Sequence, residues 1–147
     1  MLNICGCNNN FQLGEKSNNT SPSGFKAISP PVQSKLDLSS VLCYSIYSDH
    51  SVIIRSDSKT AEAIGCNEDC RISGSLPKTD LDHYTEITLK DSKGQPCLPV
   101  SVVCGEFYTL YMVTISDSND QFSLLFSYDG IESQFPLFLN IGNSKPV

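Results

Sequence analysis

The sequence has no tryptophan, only two histidines (His50 and His83), and few cations. Ten Lys and Arg stand against sixteen Asp and Glu, for a net charge of −6. The basic residues are scattered along the chain. Neutralising nucleic-acid phosphates takes clustered Lys and Arg, so direct nucleic-acid binding is not expected. No apolar run approaches the roughly 20 residues that cross a bilayer. The start, Met1-Leu2-Asn3-Ile4-Cys5-Gly6, has neither the basic segment nor the apolar core of a secretory signal. No membrane association is expected, and the expected setting is intracellular, in cytoplasm or nucleus. There the seven cysteines would be reduced thiols, not disulfides. Chemical motifs are also missing. There is no Gly-x-Ser-x-Gly elbow, no glycine-rich loop ending in Lys-Ser or Lys-Thr, and no EF-hand spacing. No apolar stripe at i, i+3, i+4, i+7 is long enough to require a helix.

What is present is a repeat, and repeats have to be sought before anything else. Gly6-Cys7-Asn8-Asn9-Asn10-Phe11-Gln12-Leu13-Gly14 returns in kind 59 residues later as Gly65-Cys66-Asn67-Glu68-Asp69-Cys70-Arg71-Ile72-Ser73. Both copies follow a short apolar run, Leu2 to Cys5 and Ala61 to Ile64. Glycine at that point permits a turn with positive φ, and the Asn and Asp that follow bend the chain through their own side chains. Phe25-Lys26-Ala27-Ile28 returns as Tyr84-Thr85-Glu86-Ile87. Ser56-Asp57-Ser58 returns as Ser116-Asp117-Ser118, and Val41-Leu42-Cys43-Tyr44 answers Val102-Val103-Cys104-Gly105. The four offsets run from 59 to 61 residues, in the same order. The expected organisation is one region over 1–147, with repeat 1 over 2–60, repeat 2 over 61–121 and an incomplete repeat 3 over 122–147. In the third, Ser127-Tyr128-Asp129 stands where the turn belongs and Phe138-Leu139-Asn140-Ile141 echoes the aromatic-x-x-Ile step.

Seven Phe, six Tyr and many Val and Ile favour strands. Strands are expected at Leu2–Cys7, at Phe25–Ile28 with Pro30-Pro31 as its stop, at Val41–Tyr47 as a buried strand, and at Tyr84–Lys90 as a half-buried one. Asn8–Ser23 is expected as a loop and Gln33–Ser40 as a polar turn. The clearest local signal is a pair of hairpins. Ser51–Ile64 turns at Ser56–Lys59, and Tyr108–Ser127 turns at Ser116–Asp120. Asp91–Gln95 is a further turn. The fold class that follows is all-β, with about four short strands per 60-residue unit.

The order of these pieces resembles the RCC1 repeat (regulator of chromosome condensation). The residues that carry the resemblance are Gly6-Cys7-Asn8 with Gln12-Leu13-Gly14, His50-Ser51-Val52-Ile53-Ile54, Gly65-Cys66-Asn67, and Val103-Cys104-Gly105 with Tyr108-Thr109-Leu110. They cover nearly the whole chain. In that family seven repeats form the blades of a β-propeller, so the resemblance implies a partial RCC1-type propeller of two to three four-stranded antiparallel blades. The chain departs from the pattern at several places. Ser73 replaces the second glycine of the turn, with Gly74 following. Tyr108 stands where the family usually has His, and Tyr44 where the second copy has Gly105. The tryptophan frequent before G-x-N is missing.

Each candidate chemical group has a plain structural alternative. Cys5 and Cys7, two apart on a strand, point to one side and would share a ligand shell. Neither they nor Cys66-x-x-x-Cys70 have zinc-knuckle spacing, however, and Cys7, Cys43, Cys66 and Cys104 are expected as small buried apolar residues. The resemblance places His50 as a core residue bonded between blades. Glu68, Asp69, Asp80, Asp82, Asp117 and Asp120 form an acidic set in turns, read as solvated and not as a calcium site. No catalytic, cofactor-binding or metal set is therefore expected. Loops on a rigid β scaffold commonly carry binding, so the expected function is a non-catalytic protein–protein interaction module. The alternative that the resemblance implies is a guanine-nucleotide exchange factor for a small GTPase, as part of a complete propeller. A small cysteine-rich metal domain is a third reading. Self-association through an uncovered blade face, centred on Phe122–Phe126 and Phe135–Ile141, is expected as well, because blades bury their faces against one another.

Overall fold

The computed structural model describes residues 3–15, 19–24, 26–33, 36–115, 122–128 and 131–137. They form eleven strands: β1 (Asn3–Cys7), β2 (Asn19–Thr20), β3 (Lys26–Gln33), β4 (Val41–Ile46), β5 (His50–Arg55), β6 (Ala61–Gly65), β7 (Leu81–Ile87), β8 (Cys97–Cys104), β9 (Tyr108–Ile115), β10 (Phe122–Tyr128) and β11 (Ile131–Leu137). A single 3₁₀ turn at Leu38–Ser40 is the one helical element among the described residues. Asp37 caps it by accepting from Ser39 N at 2.9 Å. The strands build three antiparallel sheets, in the orders β1-β3-β2, β4-β5-β6-β7 and β8-β9-β10-β11 from one edge to the other. The all-β expectation thus holds, with four-stranded sheets as the unit.

Both expected hairpins form. Ser51 pairs with Ile64 and Ile54 with Ala61 across β5 and β6. Tyr108 pairs with Tyr128 and Thr114 with Phe122 across β9 and β10. The second turn, 116–120, lies outside the described residues. The sheets and the sequence repeats have the same size but different phase. The sheet β4–β7 takes its first two strands from repeat 1 and its last two from repeat 2.

Several local expectations need correction. Pro30-Pro31 does not stop β3, which runs on to Gln33. Gly6 pairs with Ile28 but Ile4 with Val32, so the two prolines sit in a bulge of β3, where no ladder donor is required. The loop after Asn8 contains the short strand β2, and β7 begins at Leu81, three residues before the expected start. Ser127 and Tyr128 are strand, not turn, paired on both sides in β10. Val41–Tyr47 is not fully buried, since β4 alternates half-buried and exposed residues. Phe138–Ile141 lies outside the described residues.

The main core lies between the second and third sheets. Val52, Ile54, Ala61 and Ala63 from one side meet Val102, Cys104, Tyr111, Val113 and Leu125 from the other, with Ile72, Leu81, Ile87, Leu89 and Cys97 completing the cluster. On the opposite face of β5, Ile53 packs toward the first sheet, beside Ile4 and Leu13. A small apolar void remains there.

The recurrent loop has one geometry in both copies. Gly6 and Gly65 take φ of +114° and +109°, each at a register break in its sheet. Five residues later Phe11 and Cys70 take φ of +63° and +53°, closing turns on Asn8 and Asn67 (N–O 3.3 and 3.0 Å). The two asparagines are fully buried staples. Asn8 Oδ1 accepts from Leu13 N at 2.9 Å, and its Nδ2 donates to Glu15 O at 2.6 Å. Asn67 Oδ1 accepts from Ile72 N at 3.0 Å, and its Nδ2 donates to Pro77 O at 2.9 Å.

The surroundings of the two glycines differ. A Cβ on Gly6 meets nothing within 4 Å, whereas one on Gly65 runs into the Asp49 carbonyl and His50 Cα. Gly6→Val is expected to cost about 1 kcal/mol from the positive φ alone. Gly65→Val is expected to cost about 3 kcal/mol or more, because the clash is with backbone. Urea unfolding of the two variants checks the order, and equal losses would contradict it.

Candidate functional site

Polar groups gather where the loops after β1 and β6 meet the hairpin turns of the neighbouring sheets. Asp49, in the β4–β5 turn, accepts from His50 Nδ1 (2.8 Å) and pairs with Arg71 Nη1. His50 Nε2 meets Thr109 Oγ1 of the third sheet at 3.0 Å. Arg71 also donates from Nη1 to Glu106 O at 3.2 Å and from Nη2 to Asp69 Oδ2 at 2.6 Å. Its guanidinium lies 5.4 Å from the ring centre of Phe107. Two more bonds tie the third sheet to the same loop: Tyr111 Oη to Ile72 O at 2.8 Å, and Ser127 Oγ to Cys70 O at 2.7 Å.

The first copy makes a shorter version of this junction. Gln12, at the place of Arg71, donates from Nε2 to Ser48 O at 2.7 Å, and Ser51 Oγ donates to Gln12 O. Ser48 and Glu106 occupy equivalent turns, which close through Tyr47 N to His50 O and Gly105 N to Tyr108 O. A neutral amide and a guanidinium therefore do one job, binding the carbonyl of the next blade's turn. The guanidinium brings a charge as well, which Asp49 and Asp69 balance.

Asp49, His50 and Thr109 have the connectivity of an acid–base–hydroxyl relay. Geometry gives it a different role, since both His50 and Thr109 are 0% exposed. A buried hydroxyl has no room for an incoming carbonyl, so the chain of bonds joins two sheets. His50 accordingly sits where the sequence placed it, bonded between blades. Burial holds its pKa below the usual histidine value, against the opposing pull of Asp49. Asp49 and Arg71 were not singled out from the sequence. The signal available for Arg71 was its 59-residue offset from Gln12, whose family motif is Gln-Leu-Gly.

The remaining candidates are dispersed. His83 is exposed and pairs with Asp82 at 2.7 Å. Glu68, Asp69, Asp80 and Asp82 are exposed, and Asp117 and Asp120 lie outside the described residues. Among the described residues, no three His, Cys, Asp or Glu side chains are gathered as for a metal ion. Cys66 and Cys104 are buried as expected, but Cys43 is half-buried and Cys7, with Cys5, is exposed. Cys5 and Cys7 alternate with the buried Ile4 along β1 and so lie on the sheet face turned away from it, which leaves them uncovered. Burial raises the thiol pKa of Cys66, and pushes that of Cys104 up to about 12. No described helix is long and apolar enough to cross a membrane.

Two predictions follow from the junction. Burial lowers the pKa of His50 in the folded protein, and the group regains its ordinary value, near 6.5, on unfolding. Above that pH its contribution to stability is complete. Below it the unfolded chain binds the proton first, so stability falls as pH drops. The melting temperature is expected to decline from pH 7 to pH 5, with a shallower slope in His50→Gln. Parallel slopes in the two proteins would overturn this. Arg71→Leu leaves the half-buried Asp49 without its cation and removes a donor from the Glu106 carbonyl, and is expected to cost about 2 kcal/mol. Arg71→Gln, copying Gln12, is expected to recover part of that loss, as read by denaturant unfolding.

No protein-family profile and no curated protein matches the chain. Among solved structures it is similar to human WBSCR16, an RCC1-like protein, with a TM-score of 0.61 and 12% identity over 92% of this chain and 39% of that one. At this identity the likeness shows the fold alone, and the chain spans about two fifths of the length of that protein. With two complete four-stranded blades and a further sheet beside them, the chain is an all-β, partial β-propeller of the RCC1 type.

Proposed function

We propose that the chain is a divergent RCC1-like repeat protein that acts as a non-catalytic protein-interaction module, binding through the loops at one end of its blades. The observation that carries this reading is the pair of exposed aromatics on equivalent hairpin turns. Tyr47 is 42% and Phe107 48% exposed, yet their turns are anchored from beneath by Gln12, Asp49 and Arg71. Aromatic side chains held on rigid turns lose little entropy on binding and are frequent hot spots. Exposed Asp69 and Glu106 lie at the same junction and favour a partner with basic groups.

Phe107→Ser and Tyr47→Ser are expected to leave the melting temperature within a few degrees of the parent and to weaken partner binding about tenfold or more. Affinity purification with parent and variants, followed by titration of the recovered protein, reads this out. A partner bound equally by all three would overturn the loop reading. The purified chain is expected not to accelerate nucleotide release from a Ran-like GTPase. Release stimulated in proportion to added chain would favour the exchange-factor reading instead.

A further inference from the structure

The loop between β6 and β7 has two parts. Asn67 staples the first from within, its Nδ2 donating to Ser73 O at 3.2 Å and to Pro77 O at 2.9 Å. Beyond Pro77 the staple ends, and Lys78, Thr79 and Asp80 are exposed. The Thr79 amide closes a tight turn on Pro77 O at 2.9 Å, while its hydroxyl takes part in no described hydrogen bond. At Leu81 the chain enters β7, the outer strand of its sheet among the described residues. Leu81 turns into the core, whereas the Asp82 side chain on the opposite face is 70% exposed. An exposed hydroxyl is thus followed by carboxylates one and three places on, the second of them on chain that is already extended.

A hydroxyl with a carboxylate three places on occurs in the sequence at Ser34, Thr79, Thr88 and Thr114, and the fold separates them. Ser34 lies outside the described residues. Thr114 is held inside the third sheet, paired with Leu98 on one side and Phe122 on the other. Thr88 is exposed, but the chain after it is pinned. Leu89 is buried, its carbonyl accepts from Cys97 N at 2.9 Å, and Lys90 bridges to Pro96. The positive charge of Lys90 also stands between Thr88 and Asp91. Of the three described, Thr79 alone combines an accessible hydroxyl, an irregular projecting loop and two exposed acids after it.

We propose that Thr79 is a phosphorylation site for an acidic-directed Ser/Thr protein kinase. Basic groups of such an enzyme bind carboxylates that follow the acceptor through charge-assisted hydrogen bonds, and Asp80 and Asp82 supply them here. The γ-phosphoryl group of Mg-ATP passes to Thr79 Oγ1. The bond from the γ-phosphorus to the β,γ-bridging oxygen breaks and the Oγ1–P bond forms. The hydroxyl proton goes to the catalytic base of the kinase, and ADP leaves with the electron pair. The phosphate brings a charge of about −1.5 to −2 at pH 7. It stands at the end of the blades that carries the Tyr47 and Phe107 turns, because the β4–β5, β6–β7 and β8–β9 connections share that end. An influence on binding there rests on the loop reading, whereas the modification itself does not.

The test incubates the intact chain with Mg-ATP and a purified kinase of the casein kinase II type, and locates phosphate by tandem mass spectrometry. Thr79 is expected to carry most of it, with none at Thr88. Thr79→Ala is expected to lose that phosphate and Thr79→Ser to keep it. Asp82→Asn is expected to lower kcat/KM for the intact chain about tenfold or more. These side chains are exposed, so the three variants are expected to melt within a few degrees of the parent. Absence of phosphate on the folded parent, labelling mainly at another residue, or a rate indifferent to Asp82→Asn would each overturn the proposal. A kinase selective for basic substrates, run in parallel, is expected to leave Thr79 unmodified, and equal labelling by the two enzymes would overturn the acidic recognition.

Discussion

The strand His50–Arg55 is buried on both faces, and the rest of the molecule is arranged to supply its two covers. Val52 and Ile54 face the third sheet, while Ser51 and Ile53 face the first. A strand buried at five consecutive positions has no solvent side, so it is stable only inside a stack of at least three layers. Among the described residues it is the second sheet, through β5 and β6, that lies in such a stack. The flanking sheets have one covered face each, which is why the side chains of Leu110, Met112, Leu124 and Phe126 remain half-exposed although they continue the pattern of Val52, Ile54, Ala61 and Ala63.

Polar groups fix how these layers are registered. Apolar sheet faces slide over one another at little cost, whereas a hydrogen bond or ion pair fixes its two partners at a defined place. The Ser48 and Glu106 carbonyls and the Asp49 carboxylate supply those places, and Gln12 and Arg71 meet them. The loops after β1 and β6 can serve this purpose because Asn8 and Asn67 hold each of them from within.

Much of the fold was legible in the sequence, and the parts that were not have physical reasons. The hairpin over Ser51–Ile64 was visible because its apolar runs flank a polar turn, and the turn glycines because they recur with Asn two places on. The positive φ of Phe11 and Cys70 left no trace, since neither residue type favours that backbone. Pro30-Pro31 suggested a stop because their place in a bulge depends on the partner strand. At the junction, His50 was legible through its place in the repeat. Arg71 was hidden because the equivalent residue, Gln12, is of another chemical kind, and Asp49 because its cation, Arg71, stands 22 residues on. Exposure of Cys7 follows from which face of the first sheet is covered, and residue spacing says nothing of that.

The phase difference between repeat and blade has a consequence for how such a chain grows. Each 60-residue unit contributes the outer strands of one sheet and the inner strands of the next, as overlapping courses do in brickwork. Duplicating a unit therefore adds no free-standing piece. It lengthens the stack by one whole blade while the partial first sheet is carried along unchanged. A break in the polypeptide between Thr60 and Ala61 would fall within the β4–β7 sheet, where hydrogen-bonded pairing of β5 with β6 spans the cut. Neighbouring units are in this way sutured through the interior of a sheet, and the seams of heredity and the seams of folding never coincide.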